Sequence, residues 1–94
     1  MTIPIDQQLQ IKQEDVAWRN EADEIVVLEL TTTTYLTLSG SGKRLWLSLV
    51  GGSTVAELAE ELSSEYQIGV EQARSDALSF VSALAERNLL EVRD

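Results

Sequence analysis

The chain has no cysteine and no histidine. Those two absences remove disulfides, thiolate and imidazole metal sites, cysteine nucleophiles, and every catalytic dyad or triad built on an imidazole. Basic residues are scarce: seven lysines and arginines stand against sixteen aspartates and glutamates, for a net charge of −9. A protein that grips a phosphate backbone relies on a basic footprint, so this balance argues against a nucleic-acid partner. No apolar run approaches the roughly 20 residues needed to span a bilayer. The opening MTIPIDQQLQ carries neither the basic stretch nor the apolar core of a signal peptide. The expectation is a cytoplasmic protein with no membrane partner, no metal and no cofactor. Proline is nearly missing too. The single one, Pro4, precedes all the helical patterning, so no later helix is broken in that way.

What is present is ordinary globular material: 94 residues, 44% apolar and 24% charged. A chain of this size builds one domain with one modest core and has little left for a deep pocket. Function is therefore expected on a surface, an edge or a shallow groove. Residues 1–14 are weakly patterned, with Ile3, Ile5, Leu9 and Ile11 spaced mostly by two. They read as an N-terminal arm ahead of a single domain over 15–93.

From Asp15 the pattern sharpens. Val16 and Trp18 alternate with Ala17 and Arg19 as a short strand, and Asn20 to Asp23 is turn chemistry. Glu24 to Leu30 is rich in β-branched residues and apolar on both faces, which suits a central strand. A polar turn, Thr31 to Thr33, has neither glycine nor proline, so its type stays open. Thr34 to Leu38 follows as a third strand. Three strands with short connections make an antiparallel meander.

After Ser39-Gly40-Ser41-Gly42 the period lengthens from two to about 3.6. Leu45, Trp46, Leu49 and Val50 mark a short first helix that Gly51-Gly52 ends. Thr54 and Glu57 form a capping box, and Val55, Leu58, Ala59, Leu62 and Tyr66 carry the second helix. Gln67 to Gly69 breaks it. A third helix is predicted from about Val70 to Arg87, with a main stripe of Val70, Ala73, Ala77, Phe80, Val81 and Leu84 widened by Leu78 and Ala85. Asn88 suits a left-handed cap, and Leu89 to Val92 reads as extended. The fold class is α+β: a three-stranded antiparallel sheet, then a three-helix bundle resembling a winged helix-turn-helix.

Familiar chemistries fail in turn. A phosphate-binding loop needs a glycine five positions before its Gly-Lys and a hydroxyl residue after the lysine, but here Thr37 and Arg44 occupy those places. Glu57, Glu60, Glu61 and Glu65 lie opposite the apolar stripe of the second helix, as a solvated face does, and no calcium-loop spacing is present. A DNA-reading helix needs arginine, lysine or amide side chains outward; the third helix sets Arg74 and Arg87 against Glu71, Asp76 and Glu86. No modifiable serine follows an aspartate at a helix start, as a carrier domain would require. Trp18 and Trp46 are expected in the core. No catalytic residue is assigned.

The third strand is different. In a meander it lies at the sheet edge and leaves a row of main-chain groups unpaired. Natural edges are blunted by proline, lysine or bulges, and Thr34 to Leu38 has neither proline nor lysine. Either the helices or the N-terminal arm cover this edge, or it stays open for a peptide that adds as a strand. Leu78, Ser82 and Ala85 would then flank a groove beside it.

These residues resemble the PqqD-like family, whose pattern runs D-E-x-V-V-L-x-L, a turn, Y-Y-x-L-N, then G-x-x-[IL]-W-x-x-L. It is met by Asp23 to Leu30, Tyr35 to Ser39 and Gly42 to Leu49. The family's later T-v-x-e-l, Y and R-G-L-[IV] signals are met by Thr54 to Leu58, Tyr66 and Leu84 to Val92, so the resemblance covers about 15–93. Departures are the missing turn glycine within Thr31 to Thr34, Leu36 for a second tyrosine, Ser39 for asparagine and Asn88 for glycine. The resemblance implies a recognition element for ribosomally synthesised, post-translationally modified peptides. Such a protein is not an enzyme. It binds the leader segment of a precursor as an added antiparallel strand and presents it to a modifying enzyme. Carried onto this chain, the backbone partners are Thr34, Tyr35, Leu36 and Thr37. The cleft draws on Tyr35, Leu36, Arg74, Ala77, Leu78, Val81, Ser82 and Ala85, with Asp76 as an acidic contact. Two subtypes are similar in size: the stand-alone leader-binding protein of lasso-peptide pathways, paired with a protease and a cyclase, and the pyrroloquinoline-quinone pathway chaperone, paired with a radical enzyme. The lasso type is the expectation.

Overall fold

The β-branched run after Asp23 forms the middle of a three-stranded antiparallel sheet in the computed structural model, which describes residues 3–93. The elements in chain order are β1 (Gln8–Ile11), β2 (Val16–Glu21), β3 (Glu24–Glu29), β4 (Thr34–Ser39), α1 (Gly40–Gly51), α2 (Val55–Tyr66), α3 (Val70–Glu86) and β5 (Leu90–Arg93). The sheet order is β2-β3-β4. The meander is thus as expected, and the three helices follow it.

Alternation along β3 decides which face meets the helices. Ile25 and Val27 are buried under α1, while Val26 and Leu28 are half-buried on the opposite face. Cross-strand pairing of Val27 with Leu36 and Ile25 with Leu38 sends both leucines of β4 to the helical side and leaves Tyr35 and Thr37 outward.

The helix ends follow local chemistry. Thr54 Oγ1 accepts from the Glu57 amide at 3.1 Å, and Glu57 Oε1 accepts from the Thr54 amide at 3.1 Å, so the capping box starts α2. Gln67 takes the left-handed conformation that stops it. Asn88 does the same after α3, and the amides of Asn88 and Leu89 return to the carbonyls of Ala85 and Leu84 at 3.0 Å each. That pair of bonds is a Schellman cap with asparagine where glycine is usual. The first helix starts earlier than its apolar stripe predicts: Gly40 to Gly42 form its first turn rather than a linker.

The N-terminal arm is less peripheral than its weak patterning suggests. Residues 8–11 form β1, which pairs antiparallel with β5 as a second, two-stranded sheet and bridges to Ser53. Leu9 and Ile11 enter the same core as Trp46, Leu58 and Val81. The pairing spans nearly the whole chain length, so no local signal announces it. Three residues expected inside lie at the surface instead. Val70 and Tyr66, which begin α3 and end α2, are exposed. Trp18, on the other edge strand, is 37% exposed and touches Trp46 only edge-on, with ring centroids 6.1 Å apart at 74°. Among the described residues no helix is long and apolar enough to cross a membrane.

Candidate peptide-binding edge and cleft

β4 has a partner on one side only. Its six residues pair with β3 from Glu29–Thr34 to Glu24–Ser39, and no other described strand pairs with it. The arm that was one candidate to cover this edge is committed to β5 and Ser53. Alternate residues of an antiparallel edge direct their N–H and C=O groups outward, so β4 offers a half-made ladder.

The turn that launches β4 is fastened by Glu29. This side chain is buried on the helical face of β3. Its Oε1 accepts from the Thr31 amide at 2.9 Å, and Oε2 accepts from the Thr32 amide at 2.9 Å and the Thr32 hydroxyl at 2.6 Å. Thr33 then adopts a left-handed φ of 57°. A carboxylate thus does the work that glycine or proline does in most tight turns. The Thr32 hydroxyl, foremost, and the Thr31 amide hold the Glu29 carboxyl down to about 2 from an ordinary 4.5, against burial, which acts the other way.

The candidate cleft lies between the helical side of β4 and α3, framed by three apolar side chains. Leu36 and Leu38 pack partly buried against the core, as does Phe80 of α3. Gly42 marks where they meet: a Cβ there would lie 3.5 Å from Leu38 Cδ2 and 3.6 Å from Phe80 Cε1. Phe80 therefore reaches the first turn of α1 beside Leu38, at the C-terminal end of β4.

That orientation redistributes the residues predicted on α3. At 100° per residue, Leu78 and Ser82 point about 160° away from Phe80, and Ala85 about 140° away. Ser82 and Ala85 instead line a small depression with Ile3 and Glu86, on the flank turned from β4. Arg74 lies against Ala56, Ala59 and Ser63 of α2. Ala77 and Val81 are fully buried and offer no surface to a ligand. Leu78 is exposed. Of the α3 residues predicted for the cleft, only Asp76 shares the side of Phe80, about 40° from it. Thr34 and Leu36 point toward the helices, and Tyr35 and Thr37 the other way. The residue that sequence reasoning missed is Phe80, which sat in the predicted core stripe. Arg87 and half-buried Ala83 complete its side of the helix. The helical period does place Phe80 at the stripe's margin, but which margin faces β4 depends on how α3 crosses the sheet.

The outer face of the sheet carries a second shallow depression, about 280 Å³, lined by Ala17, Val26, Leu28 and Tyr35 among others. The acids of α2 face solvent as expected, with Arg44 near Glu61 and Glu65 at 3.7 and 3.6 Å. Among the described residues no group of acidic side chains is arranged to hold a metal ion.

Residues 24–90 match the family model described as coenzyme PQQ synthesis protein D (PqqD). This chain belongs to the PqqD family. A solved structure of TbiB1 in complex with the TbiA(beta) leader peptide is 33% identical, covers 87% of this chain and 94% of its own, and superposes with a TM-score of 0.80. A lasso peptide synthetase B1 complexed with its leader peptide is 20% identical, covers 88% of this chain and 96% of its own, with a TM-score of 0.78; at that identity the likeness is one of fold. No curated protein matches the chain by sequence. The PqqD-family match takes in β3, β4 and all three helices, so the open edge and its cleft both lie within it.

Proposed function

We propose that this chain binds the leader segment of a ribosomally made precursor peptide as an added antiparallel strand on β4, and presents it to a separate modifying enzyme. The observation that carries this reading is the one-sided pairing of β4 beside the apolar cleft of Leu36, Leu38 and Phe80. The 33% identical relative, held with a leader peptide, supports it. The chain makes and breaks no bond itself. Binding raises the effective concentration of precursor at the partner enzyme. That partner is the leader protease, with its cyclase, of a lasso-type pathway; a radical enzyme of a pyrroloquinoline-quinone-type pathway is the alternative. The work is done in the cytoplasm, where precursors are made. The helices form a winged helix-turn-helix-like arrangement, but a net charge of −9 favours a peptide over a phosphate backbone.

A proline scan through Thr34, Tyr35, Leu36 and Thr37 tests the reading. The ligand is the fluorescein-labelled leader encoded beside this chain's gene, followed by fluorescence polarisation. Proline at a residue whose amide points outward should abolish binding with little loss of thermal stability, because that donor has no partner in the free protein. If all four variants fold and bind as the parent does, strand addition on β4 is wrong. Copurification with a tagged protease or a tagged radical enzyme separates the two pathways.

A further inference from the structure

We infer that the cleft selects peptides by the order of their charges: a cation, an apolar residue two positions later, and an anion four positions after that, read from N- to C-terminus. The inference rests on strand addition at β4 and adds the chemistry that the edge accepts.

Chain direction comes first. Phe80 meets β4 near Leu38, toward the strand's C-terminal end. The C-terminal end of α3 is tied to the opposite end of the sheet. The Lys12 amide donates to the Leu89 carbonyl at 2.9 Å, and three residues on, the Asp15 carbonyl accepts from the Leu30 amide at 2.8 Å, just before the turn into β4. So α3 runs antiparallel to β4. A peptide that is also antiparallel to β4 must run parallel to α3.

The side of α3 that faces β4 then reads as a scale. Asp76, Phe80 and Arg87 lie within about 40° of one another around the helix. Both charged side chains are exposed, and neither makes an ion pair among the described residues. Among the described residues, Asp76 accepts only the Gln72 side-chain amide at 2.8 Å, and Arg87 reaches only the Ala83 carbonyl at 3.5 Å. Asp76 precedes Phe80 by about 6 Å along the axis, and Arg87 follows it by about 10 Å. A strand advances about 3.3 Å per residue and returns to the same face every second residue. The first rise corresponds to two residues; the second falls at about three, and the nearest residue on the same face is the fourth, about 13 Å along, within reach of a long arginine side chain. Of the cations just after β4, Lys43 is turned to the Ala22 carbonyl at 3.0 Å and Arg44 to Glu61 and Glu65, which leaves Asp76 to set the local sign.

Two labelled peptides of equal composition test this against the full chain at low salt: Thr-Lys-Thr-Leu-Thr-Val-Thr-Glu-Thr, and the same peptide with Lys and Glu exchanged. Each exposed pair is worth about two- to fivefold, so the first peptide should bind about tenfold more tightly. Reversing both charges with Asp76→Lys and Arg87→Glu, which leaves the net charge unchanged, should invert the preference. Equal affinities, a preference for the exchanged peptide, or no binding of either overturns the charge order. The Tyr35→Pro and Leu36→Pro variants keep the two readings apart, because adjacent amides point to opposite sides and one of the pair must face out. Equal affinities that one of these prolines abolishes leave strand addition standing and remove only the charge order. Binding that survives both prolines in folded protein removes strand addition itself.

Discussion

Gly42 offers a perturbation that separates stability from binding. It lies in the first turn of α1, and its backbone is not in the left-handed region. A Cβ added there would meet Leu38 and Phe80 at 3.5 and 3.6 Å, ordinary van der Waals contact with no overlap. Gly42→Ala should therefore stabilise the fold. Removing glycine's freedom in the unfolded chain contributes about 0.5–1 kcal/mol, and a largely buried methyl adds up to about 0.8 kcal/mol. A gain of about 1–1.5 kcal/mol corresponds to a Tm about 4–10 °C higher for a domain of this size. Gly42→Leu carries three more carbons beyond a Cβ already in contact with Leu38 and Phe80, so its branched end crowds the space beside them. It should fill the cleft and weaken leader binding at least tenfold while the protein stays folded. Thermal melts followed by far-ultraviolet circular dichroism give the first quantity, and polarisation titrations with labelled leader give the second. A destabilised Gly42→Ala would refute the packing described around Phe80. A folded Gly42→Leu variant with parental affinity would show that the leader does not enter between β4 and α3.

Glu29 links the sheet edge to pH. Its carboxyl titrates near 2 in the folded chain and near 4.5 when free, so its folded-state pKa is depressed. The stabilisation it confers is complete above about 4.5 and is lost as pH falls toward 2. Glu29→Gln should lower the Tm at neutral pH and flatten the pH dependence of Tm across that window; parental steepness in the variant would count against the turn's dependence on this carboxylate. Electrostatics gives the remaining prediction. With a net charge of −9, lysine-bearing leaders should associate more slowly as salt rises, by stopped-flow fluorescence. An association rate unchanged between low and physiological salt would refute long-range steering.

Local chemistry accounts for much of the architecture. The capping box at Thr54 and Glu57, the left-handed Asn88 and the β-branched run before Glu29 each act within a few residues, and their elements formed where that chemistry predicts, while α1 began at Gly40, ahead of the change of period. The open edge at β4 was legible for the same reason: a meander's last strand is an edge unless something distant covers it. The lack of cysteine and histidine was read the same way, as a narrowing of catalytic options.

Tertiary structure decided what depends on residues far apart in the chain. The pairing of β1 with β5 joins residues 8–11 to residues 90–93 and brings Leu9 and Ile11 into the core. The turn at Thr31 to Thr33 looked untyped because its fastener, Glu29, sits in the preceding strand. Above all, the crossing of α3 over the sheet set which flank of an amphipathic helix meets the edge. A helical wheel has no preferred side until a second element packs against it, so Phe80 came to lie beside Gly42 and Leu38, while Ser82 and Ala85 line a depression with Ile3 and Glu86.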